Sequence, residues 1–254
     1  MNFTSMKQEL DYCAVHAKST MLDETIIDGT LLHELHDGKY ENTSMDIPLN
    51  RLVGINREHR RFFDLGNNWR EAVLGVPVDQ WDPSKPYIEK GLHCKGWKRE
   101  KVKAYYESDL YQLTFHVPNS TNWLRCSLLG GVAYVELGAH RAVAGKIWLT
   151  YHNSETAVFQ NVYCYQRTLR GCVKSWLADC KKVGGFINWY TVSKTKRLVE
   201  LVLEDKQKVF YYDFVDGTAE EIEMSVFENS KISLAVPQVI TSSLINALLD
   251  DSWA

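Results

Sequence analysis

The sequence predicts an α+β fold, with mainly antiparallel sheet in its middle and C-terminal half. Helices are expected at the N-terminus, around residues 169–182 and at the C-terminus. Three observations predict it. Leu110 to Val117 alternates with a two-residue period, Tyr111, Leu113, Phe115 and Val117 making a wholly apolar face, as a half-buried strand requires. Segments rich in Val, Tyr and Phe follow, separated by glycines and short connections, which favours an antiparallel meander over parallel crossovers. Apolar residues spaced three and four apart, the helical period, lie on either side of the stretch from Val102 to Thr168 that these strands occupy.

In chain order, Ser5 to Met21 reads as an amphipathic helix burying Met6, Leu10, Cys13, Ala14, Ala17 and Met21, with Ser5 and Gln8 forming a capping box. Thr30 to His36 reads as a short helix stopped at Gly38. Asn56 to Leu65, the turn Gly66-Asn67-Asn68 and Trp69 to Leu74 read as helix, turn, helix, with Trp69 and Val73 facing the core. Pro77 to Trp97 holds Pro77, Pro83 and Pro86 and little periodicity, so it reads as a long loop or domain junction. The middle strands are placed at Leu110 to Val117, Leu128 to Leu137, Ala142 to Tyr151 and Ala157 to Tyr165, with Gly130, Gly131 and Gly145 as bends or bulges. Leu169 to Lys182 is the clearest later helix, its stripe being Leu169, Val173, Trp176, Leu177 and Cys180, stopped by Gly184-Gly185. A second strand group covers Phe186 to Val192, Arg197 to Leu203, Val209 to Val215 and Glu221 to Phe227, with a hairpin turn at Asp216-Gly217. Pro237 to Asp250 closes the chain as a helix. We expect one globular domain over residues 1–254, its natural subdivision being a helical part, 1–76, and a sheet-rich part, 98–254.

The 254 residues are 45% hydrophobic and 12% aromatic, enough to bury a core. No apolar run reaches the roughly 18 residues of a membrane span, and charges interrupt the first twenty residues where a signal peptide is apolar. A soluble, cytoplasmic protein without a membrane partner is expected. The cysteines at 13, 94, 126, 164, 172 and 180 form no CxxC pair and read as reduced, buried thiols rather than disulfides or zinc ligands.

Charge is segregated along the chain. Residues 1–50 carry three Lys and Arg against nine Asp and Glu, residues 51–197 carry 23 against 12, and residues 198–254 carry three against eleven. A basic centre between acidic ends bears on partners. Arg57, Arg60 and Arg61 make the helix pair basic. Lys95, Lys98 and Arg99 surround Trp97, and Arg170 and Lys174 add charge to the 169–182 helix. Cations beside aromatic planes are the chemistry of nucleic-acid binding.

Two patterns suggest other chemistry. His33, His36 and Asp37 in HELHD carry metal-ligating groups, although zinc proteases use HExxH and here the spacing is HExH. Glu204-Asp205-Lys206 matches the ExK half of a metal-dependent nuclease motif, and equally makes a charged turn. No GxGxxG or GxxxxGK[ST] spacing exists for phosphate, and no cofactor is expected. The leading expectation is a non-enzymatic binding protein whose basic centre engages nucleic acid or another polyanion, such as an acidic protein surface. The alternatives are a self-associating structural, assembly or host-interaction protein of viral or mobile-element type, and a metal-assisted hydrolase or nuclease using His33, His36 and Asp37 or Glu204 and Lys206.

Overall fold

The structure, a computed structural model, describes residues 3–56, 68–80, 82, 91–92, 94, 96–110, 115, 123–154, 156–231 and 234–252. Along the chain come α1 (Met6–His16), β1 (Ile27–Asp28), α2 (Gly29–Glu34), β2 (His36–Pro48), β3 (Leu52–Ile55), α3 (Trp69–Leu74) and α4 (Arg99–Tyr106). Then follow β4 (Arg125–Leu129), β5 (Val132–Leu137), α5 (Ala139–Asn153), β6 (Val158–Leu169) and α6 (Gly171–Val183). The C-terminal part holds β7 (Phe186–Thr191), β8 (Lys196–Val202), β9 (Gln207–Asp213), β10 (Thr218–Ile222), α7 (Met224–Lys231), β11 (Gln238–Ile240) and α8 (Ser242–Leu248). The α+β class stands. A six-stranded sheet has the order β1-β3-β5-β4-β6-β2, and a five-stranded sheet the order β10-β9-β8-β7-β11. All pairs of the second are antiparallel, whereas β1 with β3 and β3 with β5 run parallel. The first sheet is therefore mixed rather than a meander.

Two compact units divide the chain, one of residues 1–30, 41–128 and 133–166, the other of 31–40, 129–132 and 167–254. In the first, α1, α3 and α5 pack together. Ser5 caps α1 by accepting from the Gln8 amide, but the Gln8 side chain answers to the Thr4 N–H at 3.0 Å rather than to Ser5. The helix ends at His16, short of Met21, because Ala17 is already extended. Trp69 and Val73 are fully buried on α3, with Asn68 as its cap.

Ala142 to Tyr151 is not a strand. It belongs to α5, in which every residue from Arg141 to Thr150 is buried. A helix buried on all sides has no polar stripe, so its apolar run carries no helical period to distinguish it from a buried strand. Gly145 is there for packing: a Cβ would lie 2.4 Å from the Phe159 ring of β6 and 2.6 Å from that of Tyr106. The expected strand at Leu110 to Val117 lies almost wholly outside the described residues, as does the helix at Asn56 to Leu65.

In the second unit α6 and α8 pack together, and Val173, Trp176, Leu177 and Cys180 form the buried stripe of α6. Gly184 adopts a positive φ at its end, the left-handed cap that glycine permits. Glu204 to Lys206 is the β8–β9 turn, closed by the Leu203 N–H on the Lys206 carbonyl at 2.9 Å. Glu221 to Phe227 is divided between the end of β10 and α7, and Phe227 joins Tyr190, Leu198 and Val209 in a buried cluster. Pro237 to Asp250 is likewise divided, since β11 pairs with β7 before Thr241 caps α8.

At Gly130 φ is +55° and a Cβ would lie 1.8 Å from the Leu248 carbonyl oxygen, while the adjacent Gly131 N–H donates to Ala247 O at 2.8 Å. Gly130→Ala is therefore expected to destabilise the protein by more than about 2 kcal/mol, read as a fall in the urea midpoint. An unchanged midpoint would show that α8 yields without cost.

Candidate nucleic-acid interface

The sequence of β6 has two registers. Phe159 is buried, and so are Val162 and Cys164. A strict alternation cannot bury both Phe159 and Val162. Asn161 resolves this by taking φ +48°, a conformation asparagine tolerates better than most residues, and it resets the alternation as a bulge does. Its N–H donates to Asp46 Oδ1 at 2.8 Å and its amide nitrogen to Asp109 Oδ2 at 2.6 Å. Downstream, Tyr163 and Tyr165 leave the core and stand half-exposed on the opposite face of the sheet.

β6 lies between β4 and β2, whose spacing of about 4.8 Å brings other side chains to the same face. Trp123, just before β4, is 45% exposed and meets Tyr163 with ring centroids 5.8 Å apart and planes at 65°. Tyr163 meets Tyr165 at 5.6 Å and 70°. The Tyr163 hydroxyl donates to Asn42 Oδ1 on β2 at 2.9 Å. From β4, the Arg125 guanidinium lies 4.9 Å from the Tyr165 ring centroid and Nη1 donates to the Tyr165 hydroxyl at 3.2 Å. No carboxylate pairs with Arg125 among the described residues, and its buried Nε finds no hydrogen-bond acceptor there. The result is a row of three rings with a planar cation, unpaired with any carboxylate among the described residues, against its end. Such a surface can stack on flat groups through the rings and pair with an anion through the guanidinium. The second unit has a related pair of its own, the Arg167 guanidinium 5.2 Å from the ring centroid of the exposed Tyr40.

The residues singled out in the sequence fare differently. Arg57, Arg60, Arg61 and Lys95 lie outside the described residues. Trp97 is half-buried and packs edge-on against Phe115 at 4.9 Å. Arg99 is engaged internally, Nε donating to Glu9 Oε2 at 2.6 Å and Nη1 to Phe3 O at 3.1 Å. Arg170 likewise gives Nε to His36 O at 2.9 Å and Nη2 to Phe214 O at 2.6 Å. Lys98 and Lys174 are exposed. Trp123, Arg125, Tyr163 and Tyr165 were not singled out. The signal that finds Tyr163 and Tyr165 is the alternation Val162, Tyr163, Cys164, Tyr165, in which the polar-tipped rings take the outward positions; Trp123 and Arg125 carry no such local signal.

His33 and His36 do meet, with Nε2 of His36 3.1 Å from Nδ1 of His33. The Gly38 N–H donates to Nδ1 of His36 at 3.0 Å, so the proton of the neutral ring is on Nε2 and points at His33. Burial first, then the neighbouring Arg167, His33 and Arg170 side chains, pull the His36 pKa down to about 3. Nδ1 of each ring is thus engaged in a hydrogen bond, and Asp37 accepts from the Lys39 N–H at 3.0 Å. No cluster of three or more His, Cys, Asp or Glu suited to a metal occurs among the described residues. Glu204 and Lys206 are exposed turn residues.

A cavity of about 300 Å³ in the first unit is lined by Phe3, Glu9, Tyr12, Cys13, Tyr151 and His152. Arg99 and Lys103 bond both oxygens of Glu9 and hold its pKa down against the opposing effect of burial. Burial, reinforced by Glu9, pushes the Cys13 thiol up to about 12. The cavity therefore presents a protonated thiol, not the thiolate that nucleophilic chemistry uses. All six cysteines are free thiols, and among the described residues no helix is long and apolar enough to cross a membrane. No family model, curated protein or solved structure matches the chain, and a functional reading starts from this geometry.

Proposed function

We propose that the protein is a non-enzymatic binding protein that engages nucleic acid, the basic block of residues 51–197 meeting the phosphates and the face of β4 and β6 providing the contact. The observation that carries this reading is Arg125, held against Tyr165 with no carboxylate partner among the described residues. Arginine kept in this way retains its charge, and its Nη2 donors, for an incoming phosphate. The exposed lysines Lys98 and Lys174 add to the general field without fixing an orientation.

Binding of labelled oligonucleotides across a salt series tests it. Affinity is expected to fall steeply with salt, because each phosphate contact releases counterions. Arg125→Ala should weaken binding and reduce the slope of log K against log salt by about one. Absence of binding at low salt, or an Arg125→Ala slope equal to that of the parent, would overturn the assignment.

A further inference from the structure

We infer that the strand bound on this face is single, and that it is held by stacking of splayed bases on Trp123, Tyr163 and Tyr165. The inference rests on the nucleic-acid reading above and narrows it from nucleic acid in general to unpaired bases. In a duplex successive bases are parallel and separated by about 3.4 Å along each strand. The three rings offer neither relation. Their centroids are 5.8 and 5.6 Å apart and their planes are turned by 65° and 70°. Bases stacked on neighbouring rings would be turned by similar angles and spread by similar distances, which an unpaired strand accommodates and a duplex cannot. A row of this length holds about two or three bases.

Two of the rings are tied in place. The Tyr163 hydroxyl is bound to Asn42 at 2.9 Å and that of Tyr165 to Arg125 at 3.2 Å, so these two rings are placed before a ligand arrives and less ordering is required on binding. Arg125 sits at the Tyr165 end. A strand laid along the rings would bring a phosphate to the guanidinium while its bases face the aromatic surface. Stacking of this kind tolerates any base, since every base has a π face.

The full chain is titrated at one salt concentration with three probes: oligothymidylate, an abasic oligonucleotide of equal length, and a hairpin duplex with the same number of phosphates. Oligothymidylate is expected to bind at least about tenfold tighter than the abasic strand and tighter than the hairpin. Trp123→Ala, Tyr163→Ala and Tyr165→Ala should each weaken oligothymidylate binding by roughly five- to a hundredfold, while leaving the abasic strand unaffected. Tyr163→Phe keeps the ring and should retain most of the affinity. The melting temperature of each variant is read beside its affinity, and Tyr163→Phe, which keeps the ring, separates stacking from folding. Equal affinity for oligothymidylate and the abasic strand overturns stacking and leaves phosphate binding standing. A hairpin that binds tightest overturns the single-strand assignment. If no probe binds, both readings fail.

Discussion

Glu34→Ala is expected to remove about 3–5 kcal/mol of folding stability, the cost of breaking a buried ion pair by deleting one partner. Glu34 is 3% exposed and Arg197 is 6% exposed. The two form a double contact, Arg197 Nη2 with Glu34 Oε1 and Arg197 Nε with Oε2 at 2.8 Å. Trp189 Nε1 donates to the same Oε2 at 2.8 Å, and the Tyr212 hydroxyl donates to the Glu34 carbonyl at 3.0 Å. The remaining Arg197 nitrogen, Nη1, is bound to the carbonyls of Ser193 and Lys196 at 2.6 and 2.7 Å. Alanine at 34 would leave a buried guanidinium without its counter-charge and a buried indole N–H without an acceptor, and each is expensive to bury alone. Urea unfolding followed by far-UV circular dichroism reads the loss. A change below about 1 kcal/mol would mean that water reaches the pair. The double variant Glu34→Met with Arg197→Met should recover much of the loss, since a matched apolar pair removes both charges together.

The same glutamate shows where sequence reasoning stopped. HELHD draws attention to its histidines, yet its second residue, Glu34, makes the most consequential contact, to an arginine 163 positions away. Nothing local reports such a partner. The elements that were legible had their environment written into their period: α6, with one buried stripe, and β7 to β9, with turns at Glu204 to Lys206 and at Gly217. β2 was not legible because residues 38–42 are all exposed. A strand with little buried on either face offers no alternation to read. α5 was misread for the opposite reason, burial on every side. The site suffered from a third limit, since residue type does not say whether a charge is already engaged. Arg99 and Arg170 are bound within the fold, whereas Arg125, which looks no different in the sequence, has no carboxylate partner among the described residues.

Lys146 carries the last prediction: between about pH 7 and 9 the protein should gain stability relative to Lys146→Met as the pH rises. Lys146 is fully buried, its Nζ donating to the Leu52 carbonyl at 2.7 Å and lying 4.1 Å from the Trp69 ring centroid. Burial pulls its pKa down from 10.5 to about 7, and the attraction of Glu24 only partly opposes this. Below about pH 7 the amine is protonated in both the folded and unfolded chain, and the full cost of the buried charge is present. Between about 7 and 10.5 the unfolded chain holds a proton that the folded chain has released, so unfolding takes up a proton and stability rises with pH, by at most about 1.4 kcal/mol per unit. Buried thiols act in the other direction at higher pH. Cys13, Cys94 and Cys164 are pushed up to about 12 by burial, so the stability they contribute begins to be lost once the unfolded thiols ionise near pH 9. The window from 7 to 9 is therefore where the lysine dominates, and comparison with Lys146→Met cancels the thiols in any case. The difference in unfolding free energy between parent and variant should move in the parent's favour by roughly 2 kcal/mol across that window. A difference that stays constant from pH 7 to 9 would mean that the amine keeps its proton above Trp69, held there by the ring and the Leu52 carbonyl strongly enough to offset burial.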